Sequence, residues 1–201
     1  MFYAKTLKSN LFFFAVWLVV AFPIGSANAA GESAPAPPPA QRVSRHAAGW
    51  QIGTFVLRDQ QGRTFDQDRL RGRWTFLLIG DTECGEPCSS ALAALAGMLR
   101  RIASTEAVKT TQVVFVLLDP ERDTADHLQR YVAAFDGGFI AATGTQPALA
   151  QLVDDIGGAP ASDHRGSIVL VGPDGAIRAE YLPPFDMKRL TAEFLKMRAR
   201  G

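Results

Sequence analysis

The only two cysteines of the 201-residue chain fall in one string, Gly80-Asp-Thr-Glu-Cys84-Gly-Glu-Pro-Cys88. An apolar run precedes them and a helical pattern follows, so the pair lies where a buried strand hands over to the first turn of a helix. A spacing of four puts both sulfurs on one face of that turn, near enough to form a disulfide or to grip one soft metal ion. Either use needs thiolates. Unpaired backbone N–H groups and the positive end of the helix dipole favour thiolate over thiol. Pro87 is tolerated there because its missing N–H would have had no partner in a first turn. A purely structural disulfide is the third use, but a bridge between residues one helical turn apart restricts the unfolded chain little and adds correspondingly little stability.

Three histidines are available to complete a metal site. His46 lies just past a proline-rich stretch and reads as solvated. His127 sits beside Asp126 and Gln129 in a helical segment and reads as an exposed helical residue. His164 differs, because it precedes an apolar strand in a loop marked by Gly166 and Ser167. On local chemistry alone it is as readily a surface loop histidine as a ligand. As a ligand it would join two thiolates in a soft set that suits Cu(I) and can also hold Cu(II), whereas a structural zinc site would want four protein ligands.

The elements that must position these residues are legible as hydrophobic patterns. Phe55 to Leu57 and the Thr64–Phe65 region flank the turn-like Asp59-Gln-Gln-Gly62 and predict a β-hairpin. Trp74 to Ile79 and Val113 to Leu118 are continuous apolar runs of strand length, as expected of strands buried on both faces. Between them Leu92, Leu95, Leu99 and Ile102 recur at helical spacing. Helices are predicted over Thr124 to Phe135 and Pro147 to Ile156. Strands follow at Ile168 to Val171 and Ile177 to Tyr181 around Gly172-Pro-Asp-Gly175, and Asp186 to Arg198 closes with a helix whose acidic start and basic end suit its dipole. The order β, β, β, α, β, α, α, β, β, α predicts an α/β sandwich around a central mixed sheet with an N-terminal hairpin, which resembles a thioredoxin-like fold. In such folds the loop entering the late strand faces the cysteine pair, and redox members place a cis-proline there. Between Ala161 and Val171 this chain has no proline, and His164 takes that place.

The rest of the chain bounds the setting. Lys5 and Lys8, the apolar run Leu11 to Phe22, then Pro23, Gly25, Ala27 and Ala29 read as a secretory signal, residues 1–29, with cleavage after Ala29. The run of 12 is short of the ~20 residues that span a bilayer, so a retained anchor is the lesser alternative. Export to the periplasm follows, with an inner-membrane tether if the segment stays. Residues 30–45 are a proline-rich linker, and 46–201 form one domain. With 21 basic and 20 acidic side chains the chain carries no basic stripe, which argues against a nucleic-acid partner.

Five strings, in order, resemble the Sco/SenC family of copper-binding proteins that serve cytochrome c oxidase assembly. They are Arg71-Gly-Arg-Trp74, Gly80-Asp-Thr-Glu-Cys84 with the C-x3-C pair, Leu118-Asp-Pro-Glu-Arg-Asp-Thr124, Thr143-Gly-Thr145, and Asp163-His164 eight residues ahead of Gly172-Pro-Asp-Gly175. The resemblance runs from about Gln51 to the last helix and implies copper ligation by Cys84, Cys88 and His164. The chain reads Cys84-Gly-Glu-Pro-Cys88-Ser89 against the family's C-P-D-x-C-P, with both prolines moved or lost and Glu86 keeping the acid, carries Asp81 in place of an aromatic residue, and is shorter between Thr145 and His164. These changes leave the donor set intact and fall where a partner would be met. Asp119, Arg122 and Asp123 match a family string yet read as a cluster that caps the next helix and pairs locally, and Glu83 and Glu86 read as solvated.

Two functions follow from these residues. A metallochaperone would bind one copper ion and pass it by ligand exchange to a partner, by resemblance the CuA site of a haem-copper oxidase, without bond-making turnover. A thiol-disulfide oxidoreductase would use Cys84 and Cys88 as nucleophile and resolving thiol to reduce the partner's cysteines. The imidazole of His164 favours the first. A peroxidase or redox sensor is the weakest alternative, since Cys84 lacks a peroxidatic cysteine's Pro-x-x-x-Thr-x-x-Cys setting.

Overall fold

The computed structural model describes residues 43–44, 49–81, 83–122, 124–156 and 166–200. The proposed signal, the proline run at 31–40, His46, Asp123 and His164 lie outside them.

Two apolar runs build the centre. Strand β4, Trp74–Gly80, and strand β5, Thr111–Leu117, are buried at every position. They pair in parallel from Trp74↔Thr111 to Gly80↔Leu117. Side-chain alternation sends Phe76 and Leu78 into one core and Leu77 and Ile79 into the other, so both faces of β4 must be covered. The hairpin arms appear as β2, Val56–Asp59, and β3, Thr64–Asp66, paired antiparallel. The late strands are β7, Ile168–Val171, and β8, Ile177–Tyr181. β7 lies antiparallel to β4 on the edge that β5 leaves free.

Two strands were not expected. β6, Ile140–Thr143, pairs in parallel with β5 and antiparallel with β2, and so joins the hairpin to the central sheet. β1, Val43–Ser44, pairs with Tyr181 and Glu180 of β8, so the sheet begins inside the stretch assigned to the linker. The eight-stranded sheet runs β1-β8-β7-β4-β5-β6-β2-β3. This is the expected mixed sheet between helical layers.

Helices α1, Glu86–Ile102, and α5, Met187–Arg198, cover one face together with α3, Ala125–Ala133. Phe194 of α5 packs edge-on against Trp74 and Phe76 at centroid distances of 5.7 and 5.1 Å. Burial of such a ring stabilises by about 2–3 kcal/mol. The buried surface of α1 is wider than the predicted stripe, taking in Ala91, Ala94, Ala96 and Met98, because α5 packs along its side. At Gly97 a side chain would overlap Met187 of α5. Helix α4, Gln146–Asp155, covers the other face through Leu149, Leu152 and Val153. A four-residue helix, α2, Glu106–Lys109, unforeseen in the sequence, links α1 to β5.

The caps follow side-chain chemistry. Asp186 accepts from the N–H groups of Lys188 and Arg189 at the start of α5. At α3 the cap is Thr124, whose hydroxyl accepts from His127 N–H at 3.3 Å. Asp119 and Arg122, expected to cap this helix, form a turn of their own ahead of it.

In the hairpin, Asp59 accepts from the backbone N–H groups of Gln61 and Arg63 and from the Arg63 and Arg69 guanidinium groups. Burial pushes its carboxyl up, but these donors outweigh burial and hold it below the ordinary carboxylate range. The stability this contributes is present above the unfolded value near 3.8 and is lost as pH falls through the lower folded value. Asp59→Asn is therefore expected to lower unfolding free energy by about 2–3 kcal/mol at neutral pH. Denaturant titrations at pH 7 and pH 3 should show the gap between the proteins narrowing in acid. An equal gap at both values would contradict this account.

Candidate metal centre

β4 delivers the chain to its C-terminal edge at Gly80, and α1 leaves from the same edge six residues later. The turn between closes when Cys84 N–H donates to Asp81 C=O at 3.1 Å. Gly85 then takes φ +68° and ψ −135°, a conformation that glycine alone adopts cheaply, and serves as the N-cap of α1. Glu86 and Pro87 are the first helical residues and Cys88 the third. Gly85 brings no side-chain cap, so no capping side chain takes up the backbone N–H groups at the positive end of the helix that carries Cys88.

Cys88 is fully buried and Cys84 7% exposed. They form a disulfide with Cα atoms 5.7 Å apart, as their spacing allows. The seat of Cys88 is made by an absent side chain. A Cβ at Gly80 would stand 2.7 Å from Cys88 Sγ and 3.3 Å from the Phe115 ring. The sulfur thus occupies the volume that any larger residue at the end of β4 would fill.

The chain just ahead of β7 also meets this helix start. Gly166 is buried at φ +80°, and a Cβ there would lie 2.6 Å from the carbonyl oxygen of Pro87. The segment entering β7 therefore packs directly on the first turn of α1, two residues beyond His164. Among the described residues no group of three His, Cys, Asp or Glu side chains is poised to hold a metal ion. The expected sharing of one helical turn holds for Cys88 alone, since Gly85 at positive φ breaks the helical path and leaves Cys84 in the turn before the N-cap, yet the two sulfurs still meet. Such a pair fits a soft ion that takes its remaining donors from elsewhere. His127, read as a surface residue, is exposed on α3.

Charged residues border the pair. Glu83, expected to be merely solvated, is exposed but pairs with Arg122, and Arg122 also meets Asp119 at 3.3 Å. Sequence reasoning missed this link, since nothing in the pattern joins two loops so far apart along the chain. Glu86 is exposed, as expected.

The SCO1/SenC family profile matches residues 45–198. A protein of Stutzerimonas stutzeri named for copper binding is 31% identical over 149 residues, covering 69% of this chain and 72% of its own length. The mitochondrial SCO2 homologues of Bos taurus and Homo sapiens are 31% and 30% identical over 148 residues, or 68% of this chain. The chain spans about half of those longer proteins, 55% in each case. Among solved structures, copper-bound ScoI of Arabidopsis thaliana superposes with a TM-score of 0.66 at 26% identity, covering 74% of this chain and 98% of that one. Copper-bound yeast Sco1 gives 0.68 at 23% identity over 78% of this chain and 95% of that one, which shows the common fold.

Proposed function

Because the chain belongs to the SCO1/SenC family, we propose that it is a copper metallochaperone, holding one copper ion through Cys84, Cys88 and His164 and delivering it to a partner during cytochrome c oxidase assembly. The CuA site of the oxidase is the recipient that best suits this reading. The observation that carries it is the seat of the cysteine pair, Cys84 in the turn that leads into α1 and Cys88 on its first turn, joined sulfur to sulfur, with the Cys88 sulfur lodged in the notch at Gly80. The relatives named above for copper support it.

The chemistry assigned to each residue is simple. Thiol exchange with an external dithiol, which leaves as its own disulfide, reduces Cys84–Cys88 to two thiolates, which the helix start stabilises. His164, carried by the segment that enters β7, is the third donor and limits exchange and oxidation of a two-sulfur complex. Copper then leaves by stepwise ligand exchange with the partner's donors. By the same proposal the protein is exported and works in the periplasm. It is either released by cleavage after Ala29 or held at the inner membrane by the uncleaved segment.

The disulfide itself favours a second reading, in which the reduced pair acts on the partner's cysteines. One thiolate attacks the partner disulfide and releases a partner thiolate. The other then resolves the mixed disulfide, so that two electrons pass to the partner and Cys84–Cys88 ends oxidised.

Copper stoichiometry and absorption spectra of the reduced full chain, beside His164→Ala, separate the two. Chaperone chemistry is expected to give one equivalent of copper and sulfur-to-Cu(II) charge-transfer bands that shift in the variant, with affinity lower by at least about tenfold. Unchanged affinity in His164→Ala would remove the three-donor site. No retained copper, with a readily cycling disulfide, would favour the oxidoreductase.

A further inference from the structure

One cation serves the cysteine loop among the described residues, and it comes from a different element. Arg122 Nη1 pairs with Glu83 Oε2, next to Cys84, while Arg122 Nε holds Asp119 Oδ2 at 3.3 Å. Asp119 in turn accepts from the backbone N–H groups of Glu121 and Arg122 at 3.2 and 3.3 Å, which fixes the turn that presents the guanidinium. The two loops already touch where Leu118 N–H donates to Gly80 C=O at 2.9 Å.

A lone exposed ion pair contributes little, and Glu83 and Arg122 are 71% and 59% exposed. Here the charge of a third carboxylate, Asp81, also reaches the guanidinium. Asp81 Oδ1 is buried without a hydrogen-bond partner. The guanidinium proton is held more tightly than usual, first by the hydrogen bond to Glu83 and then by the charges of Glu83, Asp119 and Asp81. Without Arg122 a partly buried carboxylate and two neighbours of like charge would face one another at the root of the cysteine loop.

We propose that Arg122 is a positioning residue, which clasps Glu83 and Asp119 to hold the Asp81–Gly85 loop and so presents Cys84 at a fixed place to its metal or partner thiol. The role of Cys84 rests on the function proposed above. The clasp itself is tested without metal.

The test compares the oxidised, metal-free full chain with Arg122→Ala, Arg122→Lys and Glu83→Gln, reading amide hydrogen exchange and the rate at which a small dithiol reduces Cys84–Cys88. In Arg122→Ala the Cys84 amide should exchange about tenfold faster and reduction should accelerate, while amides of α3 and β5 keep their protection. Arg122→Lys, which keeps the charge but loses the fork, should fall between wild type and Arg122→Ala. Raising salt to about 1 M should move the wild type toward Arg122→Ala. Unchanged Cys84 exchange in Arg122→Ala overturns the proposal, as does an equal rise across α3 and β5, which would mark global destabilisation. Should Arg122→Ala fail to fold, unchanged exchange and reduction in Glu83→Gln overturn it. Copper stoichiometry is a separate measurement, so failure of the clasp and failure of the chaperone reading are distinguishable.

Discussion

Cys88→Ser is expected to abolish tight copper retention, with affinity falling at least about a hundredfold, since even the loss of an outer-shell partner costs 10–100-fold and this change removes a soft donor itself. Cys88 is the more severe of the two sites because its sulfur is fully buried against Gly80. A hydroxyl there is harder, shorter and needs a hydrogen-bond partner, at a cost of about 1–3 kcal/mol if it finds none. Loss of the bridge adds about 2 kcal/mol by chain entropy, the low end for disulfides because the loop is short. The protein should therefore fold, measurably weakened, and fail to hold copper against a competing chelator. Equimolar copper retained by Cys88→Ser would disprove the site.

The second large effect is steric. Gly166→Ala is expected to destabilise by about 2–4 kcal/mol and lower Tm by about 5–10 °C, because two penalties coincide. The residue sits at φ +80°, which L side chains rarely adopt, and its Cβ would press on Pro87 O and C at 2.6 and 2.7 Å. Backbone atoms in the first turn of α1 cannot swing aside as a side-chain tip can. Gly175→Ala is the control: φ is +82° but the nearest atom, Gln51 Oε1, is 3.6 Å away, so only the conformational cost of about 1 kcal/mol applies. Differential scanning calorimetry of both variants decides. Equal tolerance of the two substitutions would mean that the β7 segment does not bear on α1 as described.

What could be read in the sequence was whatever rests on one segment's own pattern. Trp74 to Ile79 and Val113 to Leu118 are uninterrupted apolar runs, and they became the two strands buried at every position. The cysteine pair was legible because the chain has no other thiols, and its place between a strand and a helix was fixed by the patterns on either side. β6 was not legible: Ile140-Ala-Ala-Thr143 has little strand character of its own and is held by β5 on one side and β2 on the other. β1 is two residues long and exists through its pairing with β8. The charges failed in the same way. Asp119 and Arg122 were read as capping the next helix and pairing locally: they do pair, but Thr124 supplies the cap and the guanidinium also crosses to Glu83 on another loop.

The order in which the sheet is laid down along the chain bears on how the domain assembles. β4 and α1 come early, whereas β7, which fills the other edge of β4, comes late, after the hairpin, β5 and β6 are in place. Closing that gap is a long-range, high-contact-order event. Because Gly166 sits on the first turn of α1 when β7 is paired with β4, a ligand gripped jointly by that turn and the segment entering β7 binds only the closed chain. It would act as a latch on folding itself, adding about 2.7 kcal/mol of stability at a free concentration one hundred times its Kd.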